Sequence, residues 1–165
     1  MTDRHFLFLW ILFSFVGISV CAQAGNLEQF LKKAYTARLK ADYDSNLHWL
    51  KEAEKIKKPK QDPLLLAKLY GELSKQYLIS SDYGKAKSYA EKSLRTGQKA
   101  QHALAEGYGY IAVSSYYNYL DIGDLAVSNA QQALKLLRNK RDFFLQSRAY
   151  YILYGVYSRW NDIAL

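Results

Sequence analysis

The chain has 165 residues, half of them hydrophobic and 15% aromatic, with a formal net charge of +8. That apolar content excludes a disordered chain, and the length suits about one domain. The single cysteine, Cys21, sits near the N-terminus, which excludes a disulfide framework or thiolate metal site in everything after it.

Residues 1–24 read as a signal peptide. Met1 to His5 form a weakly basic start, Phe6 to Val20 an apolar run, and Ala22-Gln23-Ala24 a small-x-small site, so cleavage is expected after Ala24. The apolar run is short for a membrane span, which needs about 20 residues. An uncleaved anchor and a lipid on Cys21 are the alternatives, and Val20 before the cysteine speaks against the lipid. Asp3 and Arg4 cancel, so residues 25–165 keep the full +8. The expected location is periplasmic or secreted. Export argues against nucleic acid and for acidic proteins, anionic polymers or lipid headgroups as partners of a basic surface.

From residue 25 on, apolar residues recur at three and four, as in Leu66, Leu69, Tyr70, Leu73 and Tyr77, and no segment alternates as a strand would. The pattern predicts an all-α chain of paired helices. The first pair is Leu27–Lys40 and Tyr43–Lys57, opened by a capping box of Asn26 and Gln29. A linker containing Pro59 and Pro63 follows, with Asp62 placed to cap the next helix. Its lysines, Lys55, Lys57, Lys58 and Lys60, read as a solvated turn. The second pair is Pro63–Ile79 and Tyr83–Thr96, with Gly97 as a C-terminal stop. The third is Ala100–Leu120 and Asp124–Arg138, with Gly123 at the turn. A fourth first helix, Asp142–Trp160, should end at Asn161-Asp162, and the expected partner helix does not follow; the reading is a chain cut inside its own pattern, the alternative being that this last helix is itself the cap.

The pairs repeat every 40 residues. Phe30, Tyr70, Tyr110 and Tyr150 share a phase, as do Tyr77, Tyr117 and Tyr157. Small residues follow the same step at Ala34, Ser74 and Ser114, and at Ala53, Ser93 and Ala133. A fixed period of this size marks stacked repeats. The rings at Tyr70, Tyr77, Tyr110, Tyr117, Tyr150 and Tyr157 are expected on the packing face.

Few residues stand in patterns that carry chemistry. His48 and His102 fall in different pairs with no acidic cluster at ligand spacing, so no metal is expected. Gly107-Tyr108-Gly109-Tyr110-Ile111-Ala112 superficially matches a dinucleotide fingerprint, but lies in a helical pattern rather than between strand and helix. No nucleophile triad, zincin motif or P-loop is present, and neither catalysis nor a cofactor is expected.

The aromatic and small positions of Tyr70, Ser74, Tyr77, Ala86 and Ala90, and of Tyr110, Ser114, Tyr117, Ala126 and Ala130, resemble the tetratricopeptide repeat family. The period is longer than the family's roughly 34 residues. Asn46 stands where a small apolar residue is expected, Tyr154 where a small one is, and Gly123-Asp124 comes two residues later than the other turns. The resemblance implies a right-handed α-solenoid of about three and a half helix–turn–helix repeats over 25–165, whose first helices line a concave groove. That groove would then comprise Tyr35, Arg38, Lys68, Lys75, Tyr108, Ser115, Asn118, Tyr119, Arg148 and Tyr151. It implies a non-catalytic scaffold for a protein or peptide segment. With Lys68, Lys75, Arg148 and Arg159 on that face, the segment is expected to be acidic or to end in a carboxylate. Exported long-period repeats also resemble the periplasmic sensor segments of longer, membrane-bound bacterial signalling or transcription-regulating proteins. Membrane contact is expected only through an uncleaved leader or a further segment downstream.

Overall fold

The computed structural model describes residues 27–56 and 62–163, all of its regular elements being helices. The leader, its cleavage site, Asn26 and the lysine-rich turn at 57–60 lie outside the described residues. The chain divides into two compact units, Met1–Asp62 and Pro63–Leu165, each described by itself.

The first unit pairs α1 (27–39) with α2 (Tyr43–Lys55) around buried Leu27, Ala34, Leu50 and Ala53. The Phe30 and Trp49 rings stack across the pair at 5.8 Å. Asn46 is also buried, because its side-chain amide donates to the carbonyl of Ala34 at 2.6 Å. A buried amide is tolerated when its hydrogen bond is made.

The second unit runs α3 (Pro63–Ile79), α4 (Tyr83–Lys99), α5 (Ala103–Tyr119), α6 (Gly123–Leu137) and α7 (Phe143–Ile163), each packed on the next. Small residues set the close approaches. The Ser74 hydroxyl donates to Ala86 O at 2.8 Å, joining α3 to α4, and Ser114 donates to Ala126 O at 2.7 Å, joining α5 to α6. Ser93 ties back to Ala67 O at 2.7 Å. The core collects Ala105, Tyr108, Ile111, Ala130, Leu137, Leu145 and Ile152.

Turns recur at one phase of the repeat. Ala41, Ser81 and Asp121 have φ of 56°, 60° and 58°. The following amides, of Asp42, Asp82 and Ile122, donate back to Ala37, Tyr77 and Tyr117 carbonyls at 3.0, 2.9 and 2.9 Å. This is the closure that ends a helix in a left-handed residue. The expected late turn at Gly123-Asp124 is therefore corrected: Asp121 takes the left-handed position, in phase with the others, and Gly123 is the first residue of α6.

Gly97 does not stop its helix. α4 continues to Lys99, the left-handed residue is Gln101, and His102 caps α5 by accepting the Ala105 amide at 3.2 Å. Gly97 is buried where α4 meets α5: a Cβ there would lie 2.2 Å from Glu106 N, and one on Gly109 2.2 Å from Leu94 Cα. These two glycines let the backbones touch.

The fourth first helix departs from its expected end. Asp142 caps it through the Leu145 amide at 3.0 Å, and α7 then winds through Asn161 to Ile163 without a turn. Trp160 seats its ring over Gly123, where a Cβ would stand 2.8 Å away, so the last turns of α7 are held against α6. The six repeat-phase tyrosines divide accordingly. Tyr77 is buried and Tyr70, Tyr110 and Tyr117 are half-buried, but Tyr150 and Tyr157 are 60% and 41% exposed. No described helix follows α7 as α4 follows α3.

Candidate functional site

The second unit carries a groove of about 600 Å³. Three first helices line it. α3 contributes Lys75, Leu78 and Ile79; α5 contributes Ser115, Asn118 and Tyr119; α7 contributes Ser147, Arg148, Tyr151 and Ile152. Lys75 and Ser115 share one phase of the repeat, as do Leu78 and Asn118, and Ile79 and Tyr119. Regular helix packing therefore lines up equivalent positions and lets their chemistry differ. Leu78, Ile79 and Ile152 supply the apolar wall, while Tyr119 and Tyr151 expose 52% and 75% of their surface.

Lys75 and Arg148 are the charged residues of the lining, and both are cations. The surplus is smaller than the residue types suggest. Arg148 reaches Glu72 on α3 at 3.7 Å, each side chain about one quarter exposed. Arg159 donates to Asp121 at 3.0 Å and to the Asn118 side-chain oxygen at 2.7 Å, which fixes Asn118 at the groove's edge. Lys68 holds its ammonium 5.3 Å from the Tyr108 ring.

Six of the ten sequence-predicted groove residues meet in this concavity: Lys75, Ser115, Asn118, Tyr119, Arg148 and Tyr151. Tyr108 does not line it. Its ring is 9% exposed and belongs to the core with Leu145 and Ile152, because α7 packs over this stretch of α5. Burial first, then the charge of Asp142, pushes its hydroxyl pKa up to about 12. Tyr35 and Arg38 belong to the first unit, where the guanidinium lies 5.1 Å over the half-exposed ring. Leu78, also expected on this face, lines it too, whereas Ile79, Ser147 and Ile152 were missed. Ile79 is 40 residues before Tyr119, so phase would have found it; Ser147 and Ile152 carry no comparable signal.

The first unit has a shallower concavity of about 590 Å³, lined by Lys32, Lys33, Lys40, Asp42 and Trp49 among others. Lys33 is held there, 4.3 Å over the Trp49 ring.

Among the described residues no group of three or more His, Cys, Asp or Glu side chains could hold a metal. His48 packs edge-on to Trp49, and His102 is a helix cap. Gly107 and Gly109 lie inside α5, with no strand before them. No helix among the described residues is long and apolar enough to cross a membrane. No protein-family model, curated protein or solved structure matches the chain.

Proposed function

We propose that the protein is an exported, non-catalytic scaffold, a right-handed solenoid of tetratricopeptide type that holds a protein or peptide segment in the α3–α5–α7 groove. What supports this reading is the lining: α3 and α5 bring equivalent positions together and α7 adds Arg148 and Tyr151 from another phase of the repeat, giving two exposed tyrosines, an apolar wall, and cations as the charged members. Aromatic and arginine side chains are the usual anchors of interfaces. The segment is acidic or ends in a carboxylate, with an apolar residue to sit against Leu78 and Ile152. Lys75 supplies charge-assisted hydrogen bonds, and Arg148 joins it by exchanging its long contact with Glu72 for the incoming carboxylate.

Titration calorimetry with acidic peptides and with basic peptides of matched apolar content tests this. Acidic peptides should bind more tightly, and binding should weaken with salt, since exposed charge pairs are screened over about 8–10 Å at ordinary ionic strength. Tyr119→Ala should cost more than about 1 kcal/mol. Equal binding of both peptide sets, insensitive to salt and to Tyr119→Ala, would sink the proposal.

A further inference from the structure

The face of α7 turned away from the core carries Phe143, Tyr150, Tyr154 and Tyr157, exposed by 73%, 60%, 73% and 41%. Spacings of seven, four and three residues place them in one stripe along the helix. None is charged. The two arginines of α7 point elsewhere, Arg148 to Glu72 and Arg159 to Asp121. In α3 and α5 the equivalent stripe is closed by the next helix, which approaches closely because Ser74 and Ser114 are small and bond to its backbone. Tyr154 occupies that same phase and carries a ring where Ser74 and Ser114 carry a small hydroxyl side chain.

We propose that this stripe is the contact between two copies of the chain, α7 against α7 about a two-fold axis near Tyr150. Tyr150 is the midpoint of the stripe, so an antiparallel pair sets Phe143 of one copy opposite Tyr157 of the other. An isologous contact requires a self-complementary patch, and rings that interleave provide one where a small-residue seam does not. Charge points to a second copy. Net charge of +8 opposes association of two copies, and this uncharged stripe is a place where they meet without opposing like charges. Area allows it. At roughly 200 Å² per aromatic side chain, the exposed parts of these four rings come to about 500 Å² a copy. The pair then reaches about 1,000 Å², the lower end for specific association. The contact is accordingly reversible and concentration-dependent.

Sedimentation velocity of the full chain over a wide concentration series, with Tyr154→Lys beside it, tests the proposal. The parent should shift from monomer to dimer, and Tyr154→Lys should raise the dissociation constant at least about tenfold with an unchanged melting curve, since that ring is outside the core. In a Cys21→Ser background, Tyr150→Cys should form an inter-chain disulfide, and Ser128→Cys on the exposed side of α6 should not. A dimer unaffected by Tyr154→Lys, or equal cross-linking at both positions, places the contact elsewhere and overturns the proposal. A monomer at every concentration overturns it too, whether the stripe is then open or covered by another segment or a different protein.

Discussion

The first helix pair and the second make the same interhelical bond from opposite sides. Between α3 and α4 the donor is Ser74 on the first helix and the acceptor the backbone of Ala86 on the second. Between α1 and α2 the donor is Asn46 on the second helix, in the phase of Ala86, and the acceptor the backbone of Ala34, in the phase of Ser74. Both bonds span 12 residues and both are buried. The repeat therefore preserves a contact rather than a residue. One side must be small, and one must donate to the other's carbonyl; which helix does which is free. The same exchange recurs at the pair's edge, where Tyr83 meets Tyr119 at 6.1 Å but Gly123, in the phase of Tyr83, receives Trp160 instead.

α5 and α7 extend the comparison to a place where neither solution is used. Ser114 is buried and bonded; Tyr154, in the same phase, is 73% exposed. Ser114→Tyr gives α5 the residue of α7 and has the largest expected effect. It overpacks the seam with α6 and removes the bond to Ala126, costing about 3 kcal/mol or more, read as a lower midpoint in urea unfolding. A variant as stable as the parent would show that the small residue does not set the approach of the two helices.

Asn46→Ala should cost about 2 kcal/mol, from the lost bond and the space left behind. Adding Ala34→Ser to it builds the arrangement of the second pair inside the first. The double variant should recover most of the loss, measured by the unfolding of the α1–α2 signals in tyrosine and tryptophan fluorescence. Additive losses would mean that the two seams are not equivalent.

The smallest expected effect is on pH. The Asp42 carboxyl is held below the ordinary carboxylate range chiefly by its hydrogen bonds from Ser45, and that of Asp82 by those from Lys85. A lowered pKa in the folded chain means that each cap contributes fully above the ordinary carboxylate pKa and is lost as pH falls through the lowered value. The first turns of α2 and α4 should fray in acid, read as faster amide exchange. The start of α6, capped by Ile122 without a side-chain bond, should change less. Equal acid sensitivity at all three starts would remove the aspartates as the cause.

Period and helical class were legible from Tyr70, Tyr110 and the small residues at Ser74 and Ser114, because a packing seam demands the same sizes each time it recurs. Two of the in-pair turns carry a local signal, at Ala41-Asp42 and Ser81-Asp82, where an aspartate caps the next helix. Glycine misled twice. Gly97 and Gly123 looked like a stop and a turn, yet one serves a backbone contact and the other seats a ring. A missing side chain looks the same in sequence whether it frees φ or makes room for a neighbour. Only the tertiary structure could tell Tyr108 from Tyr119, eleven residues apart on α5. The first is covered by Leu145 and Ile152 of α7 and the second is left at the groove. It also joined Arg148 to Glu72 and Arg159 to Asp121. Local sequence determines periodicity, caps and which faces are apolar. Which aromatic is buried and which cation is neutralised depends on helices far along the chain, because burial and charge pairing are properties of the packed pair and not of either residue.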